Sequence, residues 1–354
     1  MPDPILMAKA TVAAALVAAI AAIAAFLGLR PVARSLEGKR AQSMGASAGG
    51  ASSRTLSLPS YVAQLASLCS LPVGYYIGCW VLGLLPNWPI VEDRDRMLWL
   101  VLPGVTLVEA IGCFAGGRRW WSRAIVWMLR LAISVAVARV LLHGSIYLAD
   151  VVGPGTRKWD DASSGMILLA IGSGVLLVWT TAIWVTTRSS GRSMLLSFFF
   201  VAGAAAISIM LSGYATGGQL GLPLAGAIVG LLFASWCLPI GDVTGSPGLV
   251  TAMGFCCVTL ASLLVVGHFF AELTARNAVI LGLSPLLGAI PELIRFERFP
   301  RLARSGLRVA LVILPLAFVL QATGRSFRDR STNSGQAASG IPEPSVSDYM
   351  NFGK

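Results

Sequence analysis

Residues 165–187, GMILLAIGSGVLLVWTTAIWVTT, contain no charged side chain, nor do residues 194–215, MLLSFFFVAGAAAISIMLSGYA. The six residues between them, RSSGRS, supply Arg188 and Arg192. A helix rises 1.5 Å per residue and the hydrocarbon core of a bilayer is about 30 Å thick, so about 20 apolar residues make one crossing. Each run is long enough to cross, and so short a connection returns the second run beside the first. The stretch reads as an antiparallel transmembrane hairpin with two arginines at its turn.

The same pattern recurs on both sides of it. Segments 6–29, 61–85, 97–116 and 124–148 precede the hairpin, and 219–240, 248–272, 277–294 and 307–323 follow it. The expected fold is therefore all-α, a polytopic transmembrane helical bundle of about ten spans. Nine is the alternative, because 307–323 is short and contains Pro315. The first segment is expected as a retained anchor: its apolar stretch from Ala10 to Leu29 is longer than a signal-peptide core, and Arg30 follows it rather than a small-residue cleavage site. Residues 30–60, which include the small-residue linker 41–58, are expected as a flexible inner loop. Residues 324–354 are expected as a disordered polar tail.

Composition excludes the main alternatives. Of 354 residues, 56% are hydrophobic and 12% charged, and the mean hydropathy is +0.76. A soluble domain carries about 25% charged residues, so this chain could not cover its surface in water. A soluble enzyme, a collagen-like fibre, a disordered protein and a secreted disulfide scaffold all fail on that ground. The net charge of +11 comes in short clusters between apolar runs rather than on one continuous face, which argues for no nucleic-acid partner. Anionic lipid headgroups at the inner basic loops are the expected partners. None of the six cysteines stands in a C-x-x-C pair or at ligand spacing from a histidine. They read as small hydrophobes, with no metal and no cofactor expected.

Orientation follows from the loops. With the N-terminus outside, the inner connections hold 15 basic residues, among them Arg118, Arg119, Arg188, Arg192 and Arg298, and the outer ones hold five. The outer loops also carry Glu92, Asp93, Asp95, Asp160 and Asp161. This bias places the basic loops in the cytoplasm, as in a bacterial inner (plasma) membrane protein. Trp80, Trp88, Trp99 and Trp159 fall near outer ends and Trp120, Trp121, Trp127, Trp184 and Trp236 near inner ends, which gives two interfacial belts.

Ionisable side chains inside spans cost about 2.5–3.5 kcal/mol each at mid-bilayer, so each needs a partner or water. Glu109 and Arg130 lie symmetrically about the connection between their segments and should sit at equal depth as an ion pair. Glu292 and Arg308 repeat the arrangement about Pro300. Arg139 and His143 are four residues apart on the segment 124–148, and His268 and Glu272 are four apart on 248–272, so each pair shares a helix face. Arg139 is expected about 13 Å from the outer end of its helix. The four residues together would make an outward polar site for an anionic or lipid-headgroup ligand.

Catalytic motifs fail by contrast. H-E-x-x-H is absent, Ile171-Gly172-Ser173-Gly174 lacks the leading Gly of an intramembrane G-x-S-G, and Asp242 has no second aspartate within a span. The expected function is that of a multi-pass membrane protein, first a small-molecule or lipid permease, second a non-catalytic scaffold or complex subunit, third an intramembrane hydrolase.

The charge bias has a direct test. A cysteine introduced within 41–58 should be protected from an impermeant thiol reagent in intact cells, and one within 151–163 should react. Both on one side would overturn the topology.

Overall fold

A computed structural model describes residues 3–44, 58–86, 88–90, 92–115, 120–148, 159–189, 191–238, 247–294 and 300–340, and among these there are helices and no strand. The helices are α1 (Pro4–Met44), α2 (Leu58–Val81), α3 (Asp93–Arg96), α4 (Leu102–Ala115), α5 (Trp120–Leu141), α6 (Asp161–Arg188), α7 (Gly191–Leu211), α8 (Ala215–Cys237), α9 (Val250–Phe269), α10 (Ala275–Leu287), α11 (Ile290–Leu293) and α12 (Arg301–Gly340). A wide π-turn, Met97–Val101, joins α3 to α4 into one rod. Among the described residues, nine helices are long and apolar enough to cross a membrane. The chain is an all-α, membrane-embedded bundle.

The segment expected at 277–294 is divided into two pieces and is not among those nine helices. α10 has 13 residues, a rise of about 20 Å, which is shorter than the hydrocarbon core. Pro291 has no N–H for the Leu287 carbonyl, and the chain tightens there, with Gly288 N–H donating to Pro285 O and Ala289 N–H to Leu286 O. α11 then continues the passage. At one end Asn277 donates to the Thr323 hydroxyl, and at the other Arg308 Nε donates to Gly288 O. α10 and α11 thus run the length of the bundle antiparallel to α12.

α1, α2 and α8 pack through small residues. Ala10, Ala14, Ala18 and Ala22, each four apart, are all fully buried. A Cβ added to Gly226 would stand 2.3 Å from the Thr11 carbonyl oxygen, and one on Gly230 would stand 2.1 Å from that of Ala15. On α2, a Cβ at Gly74 would meet Ala18 at 2.6 Å. The opposite side of α8 does the same to α7, where Gly221 faces Ala206. Lipid tails are as apolar as Leu, so helices in a membrane associate by close backbone approach, which these residues permit. α9 occupies the centre and packs against α2, α4, α5, α6, α7, α8 and α10. Of its 20 residues, 16 are buried.

Three expected boundaries differ. The inner loop expected from residue 30 is helical to Met44, because residues 33–44 are rich in Ala, Arg, Leu, Glu and Lys, all good helix formers. Residues 45–57 of that loop lie outside the described residues. The tail expected as disordered from residue 324 continues α12 to Gly340, since each added residue of an existing helix gains a hydrogen bond without new nucleation; residues 341–354 lie outside the described residues. The segment 124–148 is helical only to Leu141 and then turns, with Gly144 at φ +74°.

Gly230→Leu should lower the thermal unfolding midpoint in detergent sharply, by the equivalent of about 3 kcal/mol or more, because the obstacle is backbone and not a flexible side chain. Gly203→Ala, where a Cβ meets nothing within 4 Å, should leave the midpoint unchanged or raise it. Equal melting of Gly230→Leu and the wild type would refute the close contact of α1 with α8.

Candidate functional site: charges paired inside the bundle

Glu109 on α4 and Arg130 on α5 are brought together. Arg130 Nε donates to Glu109 Oε1 at 3.1 Å and its Nη2 donates to Oε2 at 2.9 Å, a two-point fork. Trp179 of α6 adds its indole N–H to Oε1 at 3.1 Å. The Arg130 guanidinium also lies over the rings of Trp127, at 4.9 Å, and Trp179, at 5.5 Å, where the ring faces attract a cation. Glu109 is 1% exposed, Arg130 7% and Trp179 0%. Gly254 of α9 closes the cluster: a Cβ there would stand 2.6 Å from Glu109 Oε1 and 2.7 Å from the Trp179 ring.

Glu292 and Arg308 are also brought together, at the break between α10 and α11. Arg308 Nη2 donates to Glu292 Oε1 at 2.7 Å, its Nε to Gly288 O at 2.9 Å, and its Nη1 to the Ser193 hydroxyl of α7. Arg308 is fully enclosed, and its donors pin three helical segments at the end of the bundle where Arg188 and Arg192 lie, the basic end.

The four residues of the expected outer site do not converge. Arg139 and His143 are exposed, and neither side chain has a partner among the described residues. Because α5 stops at Leu141, Arg139 sits in its last turn, about 3 Å from the helix end rather than 13 Å inside it. A guanidinium in that place reaches the headgroups and meets the negative end of the helix dipole, so it needs no counter-charge from the protein. His268 Nδ1 lies 2.8 Å from the Leu273 carbonyl. Glu272 pairs with Arg330 of α12, which also donates to Leu211 O at 2.8 Å. α5 and α9 do touch, but beyond their polar residues the meeting is aromatic. The Tyr147 ring lies 5.1 Å from Phe269 and 4.9 Å from Trp159.

Near the same end, burial and the carboxylates of Asp93 and Glu92 push the Tyr214 phenol up to about 12, with Arg94 opposing. Tyr214 is thus neutral at physiological pH. Glu92 and Arg94 pair at 3.1 Å, and Arg94 Nε donates to Asp95 at 3.3 Å. The acids of this helix start also favour the positive end of its dipole.

Ser173 is exposed and donates to Ala170 O, the local bond of a hydroxyl on a helix, while Asp242 lies outside the described residues. Among the described residues no group of three His, Cys, Asp or Glu could hold a metal ion. Four cysteines are buried, and Cys69 and Cys237 are exposed. Trp179 was missed by the sequence reading, although a signal existed. It is the one tryptophan of ten outside both expected belts, and a buried indole N–H requires an acceptor. The glycine pairs 74/78 and 226/230 were likewise readable as G-x-x-x-G spacing.

No protein-family model matches the chain, and no curated protein matches it in sequence.

Glu109→Ala leaves a buried, unpaired guanidinium and should cost about 3–5 kcal/mol. The double change with Arg130→Ala should cost clearly less than the sum of the two single changes. Thermal unfolding of the four proteins of the cycle checks this; strict additivity would mean the two charges do not interact.

Proposed function

We propose that this chain is a non-catalytic component of a membrane, a dry helical bundle whose role is to pack against lipid or protein partners. The observation that carries this reading is the neutralisation of its interior. Glu109 is held by three donated hydrogen bonds and Arg308 donates to three acceptors. An ion or proton relay needs groups that exchange partners with water or substrate. These groups have their partners within the protein, as structural clamps do. The basic loops would face the cytoplasm and bind anionic headgroups, with the N-terminus on the other side.

A permease of small molecules or lipids is the second reading. It is favoured by the broken passage of α10 and α11, since interrupted helices form the midplane sites of many transporters. Here the break lies at the basic end rather than at mid-depth, and Arg308 and Glu292 fill it.

The cysteines of the chain separate the two. In a Cys69→Ala/Cys237→Ala variant the remaining thiols, Cys79, Cys113, Cys256 and Cys257, are all buried. A charged, water-soluble methanethiosulfonate should leave them unmodified in membranes and modify them after denaturation in SDS. Labelling of Cys256 or Cys257 in the native membrane would reveal a water path along α9 and support the permease.

A further inference from the structure

We propose that a groove between α2 and α4 binds one acyl chain of a bilayer lipid, drawn from the leaflet at the end opposite the basic loops. The groove has a volume of about 710 Å³ and is open on the side where Trp99 and Leu107 are exposed. Its floor is a single stripe of the π-turn and α4, Trp99, Pro103, Thr106 and Ala110, and Pro72 and Tyr76 of α2 form its wall. The eleven steps from Trp99 to Ala110 rise about 16 Å. One leaflet of a 30 Å hydrocarbon core is about 15 Å deep. Trp99 is half exposed near the membrane boundary, where an indole is favoured, and Ala110 lies beside Glu109 in the interior. The groove therefore has about the length of one leaflet's chain, and a chain entering at Trp99 reaches past mid-depth, since Ala110 stands five residues from the end of α4.

Its width chooses between a lipid chain and a protein helix. Spread over that length, the volume corresponds to a cross-section of about 44 Å². A helix with side chains is at least 10 Å across, about 80 Å², and does not fit. A hydrocarbon chain does. Chemistry agrees, because the hydroxyls of the lining are already engaged. Thr106 donates its hydroxyl to Leu102 O at 2.8 Å, and Tyr76 donates its phenol to Leu98 O. Pro72 and Pro103 have no N–H to offer. Beyond the Trp99 indole at the boundary, a ligand with hydrogen-bonding groups would find no free hydroxyl in the lining.

The groove itself has a local cause. In the π-turn Leu102 N–H donates to Met97 O, five residues back. The next bond in that register would run from residue 103 to Leu98 O, and Pro103 cannot make it. Leu98 O is left for Tyr76, which ties the two walls at the mouth and leaves the space below them open to lipid.

The proposal does not rest on the dry-bundle reading. Lipid capture with labelled Cys256 would sink that reading alone, and protected cysteines without capture would sink this one alone. The test uses the full chain in nanodiscs of phosphatidylethanolamine and phosphatidylglycerol, doped with phosphatidylcholine carrying a diazirine at the end of one acyl chain. After photolysis, adducts are mapped by proteolysis and mass spectrometry. They should be severalfold enriched in residues 99–110 and 72–76 over the equally lipid-facing Met128–Ala132 stretch of α5. Ala110→Trp, which fills the floor, should remove the groove adducts and leave those on α5 unchanged. Adducts spread evenly over exposed faces, or unaffected by a folded Ala110→Trp, would overturn the site. Should Ala110→Trp fail to fold, Leu107→Trp at the exposed edge of the groove provides the same comparison.

Discussion

The Glu109 carboxylate sets the arrangement of the helices around it. A charge in hydrocarbon is unfavourable by several kcal/mol unless its lone pairs are met, and here they are met by donors from two other helices. Arg130 brings α5 and Trp179 brings α6. The space that remains admits only a residue without a side chain, and α9 supplies Gly254 there. Four helices are thus fixed in rotation and depth by one side chain. Apolar contacts alone would not do this, because a Leu-covered helix can slide or rotate in lipid at little cost.

The rest of the bundle uses a different device. α1, α2, α7 and α8 are held chiefly by absence of side chain, with Arg192 of α7 adding a hydrogen bond to Ser235 O of α8: alanines and glycines let carbonyl oxygens of one helix approach the Cα positions of the next. Such contacts are numerous and weak, and they depend on shape. The two devices meet at α9, buried on nearly all sides, which touches both groups of helices. The third region, α10 to α12, is again polar, with Arg308 bridging the Gly288 carbonyl, Glu292 and Ser193. Charge and hydrogen bonding appear where helices are irregular or must be oriented, and small residues where they are regular.

The membrane-spanning architecture was legible because it depends on run length, which composition displays directly. Depth was legible too where a short connection defined a hairpin: equal distances from that connection place Glu109 opposite Arg130 and Glu292 opposite Arg308. The outer site was not, and the reason is local. Residues 142–148, LHGSIYL, are mostly apolar and read like a continuing helix, yet Gly144 takes a left-handed conformation and ends it. An error of two turns in one boundary moved Arg139 from the interior to the rim. The pairing of Glu272 with Arg330 was hidden in a different way, since a polar segment carries no apolar period to announce that α12 continues through it.

Prolines explain much of what remains. In water a carbonyl that loses its helical N–H is hydrated; in a bilayer it needs a donor from the protein. Two prolines inside the bundle mark places where a neighbour comes close with an N–H or O–H. Tyr76 answers Pro103 at Leu98 O, and Arg308 answers the break around Pro291 at Gly288 O. Side chains spent in this way are no longer free for a ligand. The same rule that closes the interior to water leaves the α2–α4 groove without an unengaged donor among its hydroxyls, and so suits it to hydrocarbon.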